Sequence, residues 1–113
     1  MDNIKNETDK KINEAIMAMA KDPKNAENYH TLAELYLQQQ NYDKVMSVLE
    51  SLLTVHPDDV QALVGMRTMW FYEKDFRKSL VYYNKALEIN PKNFLIYYNI
   101  DRKSTRLNSS HSH

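Results

Sequence analysis

No cysteine occurs in the 113 residues, which excludes a disulfide framework, a thiolate metal site and a cysteine nucleophile. A single glycine, Gly65, and three prolines leave too few turn-formers for an all-β chain. Net charge of one sign is missing as well. Fifteen basic and fifteen acidic side chains cancel, so the chain carries no electrostatic footprint for nucleic acid or an anionic membrane. No apolar run approaches the roughly 20 residues that a membrane helix needs. The stretch from Met1 to Lys11 is polar and lacks the apolar centre of a secretory signal, so the expected compartment is cytoplasmic. Leu, Ala, Lys, Glu and Gln are abundant instead, with six Met and eight Tyr, a composition suited to helices packed through aromatic groups.

The three prolines are regularly placed. Pro23, Pro57 and Pro91 stand 34 residues apart, twice over. Each is followed two residues later by Asn25, Asp59 or Asn93, residues whose side-chain oxygen caps a helix N-terminus. The proline cannot continue the preceding helix, because it lacks the N–H donor and clashes one turn back. One helix therefore ends and another begins at a constant period, the mark of a repeat protein.

Helical spacing fills the intervals. After a polar lead over residues 1–7, Ile12, Ala15, Ile16, Met19 and Ala20 share one helix face up to Pro23. Tyr29, Leu32, Ala33 and Tyr36 form the stripe of a second helix. Gln39, Gln40 and Asn41 turn the chain, and Val45, Leu49, Leu52 and Leu53 line a third. The plan then repeats: Leu63, Met66 and Trp70 on one helix, a turn at Lys74 and Asp75, and Ser79, Tyr83, Ala86 and Leu87 on the next. Phe94, Tyr97 and Ile100 begin a further helix in the same phase. Each helix pair is amphipathic and cannot bury its face alone, so stacking of pairs into a solenoid is expected. A simple bundle would have no reason to repeat its caps and prolines.

These residues resemble the tetratricopeptide repeat family, whose helix–turn–helix unit has the same length. The first unit matches through Tyr29, Leu32, Ala33, Tyr36, Val45, Leu49, Leu52 and Pro57. The second matches through Leu63, Met66, Trp70, Ser79, Tyr83, Ala86 and Pro91. Asn41-Tyr42 and Asp75-Phe76 match the pair that opens the family's second helix. The resemblance implies an all-α superhelix divided into a polar lead and lone helix (1–25), two repeats (26–59 and 60–93) and the start of a further repeat (94–100).

Two departures from the family pattern stand out. Arg67 occupies a place where the family has a small residue, which implies either a stem laid across the groove with the guanidinium in water or a splayed second repeat. Gln40 and Lys74 stand where the family has a turn glycine; a positive φ there costs each about 1 kcal/mol unless the turn differs. The tail, 101–113, breaks the pattern in mid-helix. From Asp101 to His111 it resembles a translated sequencing-library adapter, so the natural chain is expected to continue past Ile100. A helix stack left without a polar terminal cap is expected to be marginally stable or to self-associate.

Catalytic chemistry finds no footing. Glu27, His30 and Glu34 share a helix face, and Glu-x-x-His is half of a di-iron motif, but the second pair and two further carboxylates are missing from the third segment. A solvated polar face is the reading. His56 reads as a helix-end residue favoured by the local dipole. No Ser-His-Asp arrangement, phosphate loop or HExxH occurs, so neither an enzyme nor a metal or cofactor site is expected.

The resemblance instead implies a concave groove lined by the first helix of each pair. Its residues here are Glu27, His30, Glu34, Leu37 and Gln38, then Gln61, Val64, Thr68, Phe71 and Tyr72, then Leu95 and Tyr98. Leu37, Phe71, Tyr72 and Tyr98 are large apolar groups that repeat packing does not need. They read as anchors for a protein or peptide partner, or as a surface that a neighbouring repeat covers. The family's carboxylate-gripping subclass uses Lys and Asn in this groove. Glu27, His30, Glu34 and Gln61 stand there instead, which favours a neutral or basic segment. Two functions follow: a protein–protein interaction scaffold, or the recruiting arm of a larger enzyme or signalling protein.

Overall fold

The computed structural model describes residues 2–91, with side chains over 6–91. Five α-helices follow one another: α1 (Asp2–Lys21), α2 (Ala26–Gln38), α3 (Tyr42–Val55), α4 (Val60–Tyr72) and α5 (Phe76–Ile89). Substantial packing runs between sequence neighbours, α1 on α2, α2 on α3, α3 on α4 and α4 on α5. That is the nearest-neighbour arrangement of a solenoid. No described helix is long and apolar enough to cross a membrane.

Local chemistry sets the helix ends. Asn25 Oδ1 accepts from the Glu27 N–H at 3.0 Å, and Asp59 Oδ1 accepts from the Ala62 N–H at 2.9 Å. Both are the side-chain caps that the proline spacing predicts. Asp75 Oδ1 caps α5 through the Lys78 N–H at 3.2 Å, whereas Asn41 makes no such bond. The Tyr29 hydroxyl donates to the Pro23 carbonyl at 2.8 Å, tying the first proline turn to α2. The cap Asn93, the stub with Phe94, Leu95, Tyr97, Tyr98 and Ile100, and the tail from Asp101 lie outside the described residues.

The two turns inside the repeats are the same device. The Asn41 N–H reaches back to the Tyr36 carbonyl and that of Gln40 to Leu37, each at 2.9 Å. Asp75 and Lys74 bond Trp70 and Phe71 in the same way, each at 3.0 Å. This is a Schellman motif, which needs a left-handed residue. Gln40 at φ 58° and Lys74 at φ 65° supply it without being glycine. The chain thus keeps the family's turn and carries its strain.

At the start, helix replaces the expected polar lead: α1 begins at Asp2. No proline or glycine lies within residues 1–7 to oppose it. Of its apolar stripe, Ile12 and Ala15 are buried and Met19 packs beside them. Ile16 is exposed, because α1 rests chiefly on α2 and one neighbour buries only a narrow seam.

The core runs along the stack. Leu52, Ala62 and Met66 are fully buried and join Ile12, Tyr29, Leu32, Ala33, Val45 and Leu49 in one cluster spanning α1 to α4. Gly65 permits the close approach of α3 and α4, since a Cβ there would lie 2.8 Å from Leu49 Cδ1. A smaller cluster around Leu63 and Ala86 joins α4 to α5.

Candidate functional site

The helices α2 and α4 open the two repeats and carry the residues expected to line the groove. Glu27, Glu34, Gln38 and Gln61 are exposed there. Leu37 is 44% and Tyr72 66% exposed, large fractions for side chains of that kind.

His30 does not stand open on this face. Its Nε2 donates to Asp59 Oδ2 at 3.0 Å, with both side chains largely buried. Because Asp59 also caps α4, one carboxylate joins the middle of α2 to the start of α4. The bond crosses between repeats. Near it, His56 Nε2 donates to the Lys24 carbonyl, linking successive proline turns. His56 is therefore more than a helix-end residue. It joins segments that are distant in sequence.

Phe71 is half-buried and committed to packing. Its ring meets Phe76 edge-on at 5.2 Å between centroids, and the Arg67 guanidinium lies 5.7 Å from its centre. Val64 packs against the Leu63–Ala86 cluster. The Thr68 hydroxyl donates to the Val64 carbonyl at 2.9 Å.

Arg67 corrects the sequence expectation. It is only 4% exposed, so its guanidinium is neither in water nor levering the repeat apart. Nη1 donates to Thr68 Oγ1 at 3.3 Å, while Nη2 is buried with no hydrogen-bond acceptor. Burial lowers its pKa from the ordinary arginine value, with Tyr83 and Tyr72 pulling the other way. The helix opposite makes room for the stem by offering Ser79, whose hydroxyl donates to the Arg67 carbonyl at 2.8 Å.

What the fold does bring together is a pocket of about 620 Å³ lined by Leu37, Tyr42, Met46, Thr68, Met69, Tyr72 and Glu73. Leu37, Thr68 and Tyr72 come from the expected groove set. Tyr42, Met46, Met69 and Glu73 were not expected there. Tyr42 opens α3 and Glu73 closes α4, so both sit at helix ends, and repeat spacing marks them only as turn residues. The signal that could have found Tyr42 is its aromatic bulk beside a turn, where no core position requires it. A concave, mostly apolar site with a few polar groups on its rim suits a side chain inserted from another molecule.

The comparisons with known proteins agree with this architecture. A model of the tetratricopeptide repeat family matches residues 10–66, and a second tetratricopeptide repeat model matches residues 71–93. Among solved structures the chain is similar to the first TPR of Spaghetti (RPAP3) bound to the HSP90 peptide SRMEEVD. That likeness has a TM-score of 0.74 at 18% identity and covers 91% of this chain and 82% of that one. At such identity the likeness is one of fold. No curated protein matches the chain. A lone helix and two helix pairs among the described residues, a 34-residue spacing of caps and turns and a family match over half its length place the chain in the tetratricopeptide repeat family.

Proposed function

We propose that this chain is a protein-interaction module that holds a segment of a partner along the face of α2 and α4. The pocket beneath Leu37 and Tyr72 carries the reading. Isolated apolar residues are ordinary on a surface, but exposed apolar groups around a concavity mark interaction sites. The fold-level neighbour was solved with a peptide bound, which supports the same use of the fold here. Recognition would rest on side-chain insertion and shape, with Glu27, Glu34, Gln38 and Gln61 lining the approach. No described residues form a cluster suited to metal binding, and the reading invokes none.

The test is selection of random peptides displayed on phage against the immobilised chain, followed by binding of the enriched peptides to Leu37→Ala and Tyr72→Ala variants. Both residues are exposed, so circular dichroism should show unchanged folding. Enriched peptides that lose about tenfold in affinity on either substitution support the groove. Peptides that bind the variants as well as the parent chain would place recognition elsewhere.

A further inference from the structure

The charge around the pocket is one-sided. The helices α2 and α4 carry acidic side chains at Glu27 and Glu34 and a single arginine or lysine, Arg67, which is buried. Glu73 lines the pocket itself, and Asp43 follows the lining residue Tyr42 in the first turn of α3. Glu34 lies one turn before Leu37 on the same helix face. Of the basic residues on α3 and α5, Lys44 is 5.7 Å from the Tyr36 ring centre, Lys78 is 4.3 Å from that of Trp70 and Lys85 is 5.5 Å from that of Tyr82, while Arg77 is exposed and does not line the pocket. In the turn beyond Glu73, Lys74 is the nearest basic residue in sequence.

Resting on the interaction reading above, we infer the chemistry of the occupant: a partner segment that inserts one large aliphatic or aromatic side chain into the pocket and flanks it with Lys or Arg. The apolar lining selects the anchor. The acidic rim selects its neighbours, because a lysine or arginine beside the anchor meets Glu34 on one side and Glu73 on the other. An acidic segment would set like charges against both rims, the arrangement that suppresses wrong partners.

Fluorescently labelled synthetic peptides supply the probe. Each holds one Phe or one Leu, flanked on both sides by Lys and Arg, by Gln, or by Glu, and anisotropy is read at low and moderate salt. Basic-flanked peptides are expected to bind tightest, and their lead over Gln-flanked ones should shrink as salt screens the rim. In the Glu34→Gln and Glu73→Gln double variant that lead should fall by about threefold while the Gln-flanked affinity holds. Tyr72→Ala should weaken all the peptides together. Equal or tighter binding of Glu-flanked peptides would overturn the charge assignment and leave the interaction reading standing. Basic-flanked binding that survives Tyr72→Ala would overturn the pocket. If phage selection succeeds yet no basic-flanked peptide binds, this inference alone fails. If neither binds, both readings fail.

Discussion

The two repeats have one backbone and two interiors. In the first, α2 buries Tyr29, Leu32, Ala33, Leu35 and Tyr36, and α3 buries Val45, Val48, Leu49 and Leu52. In the second, α4 also buries five residues, but α5 buries only Ser79 and Ala86. Phe76, Leu80, Val81 and Ile89 of α5 remain exposed. Two differences accompany this: α3 packs between α2 and α4, whereas the substantial packing described for α5 is with α4 alone, and at positions 34 residues apart Ala33 becomes Arg67, Val45 becomes Ser79 and Leu52 becomes Ala86. A buried arginine stands on α4, the small Ser79 of α5 bonds its backbone carbonyl, and Ala86 packs with Leu63. Helix ends and turns nonetheless stay in register. Caps and Schellman turns set the course of the chain, and interior packing sets how firmly each pair is held.

Exchanging the key residue should break the comparison most sharply. Ala33→Arg would place an unpaired charge and a long stem in the well-packed first repeat, opposite Val45 rather than Ser79. It should destabilise the chain by about 4 kcal/mol, combining overpacking with uncompensated burial of charge. Urea unfolding would read this as a lower midpoint, and a shift of under about 1 kcal/mol would show that the two sites are equivalent after all. Next in size is Leu52→Ala, expected to cost about 3 kcal/mol for a fully buried side chain. The corresponding Ala86→Gly should cost only about 1 kcal/mol, through helix propensity.

Arg67→Met sharpens the contrast in the opposite direction. It keeps most of the stem and removes a buried guanidinium with an unpartnered Nη2, so a gain of about 1 kcal/mol is expected. A loss in thermal melting would mean that the contact with Phe71 outweighs the desolvation. Smallest of all, Gln40→Gly and Lys74→Gly relieve a left-handed backbone in the two repeats alike. Each should stabilise the chain by up to about 1 kcal/mol, read as a higher unfolding midpoint. Unequal gains would show that one turn is held more tightly by its surroundings.

Much of this fold could be read from the chain. Asn25 and Asp59 cap where the prolines require it, and α2 and α4 start 34 residues apart, as do α3 and α5. The resemblance left open whether Gln40 and Lys74 take a positive φ or the turn differs, and the structure has the positive φ at both. The candidate site was half legible. Leu37 and Tyr72 stood out because a first-helix face has no repeat-packing use for them, and Thr68 was named only as a groove position. Phe71 obeys the same spacing, yet Phe76 and Arg67 draw it into packing. His30 looked like a solvated residue until Asp59, from the next repeat, met it.

The sequence by itself determined the period and where one helix ends and the next begins at Pro23 and Pro57, because each depends on groups a few residues apart. Proline removes a donor, and Asn or Asp supplies an acceptor. Only the tertiary structure decided that Arg67 is buried, that His30 bridges to Asp59, and that Tyr42, Met46 and Met69 complete a pocket with Leu37 and Tyr72. Those outcomes rest on side chains from different helices competing for one space, and such competition is settled by packing.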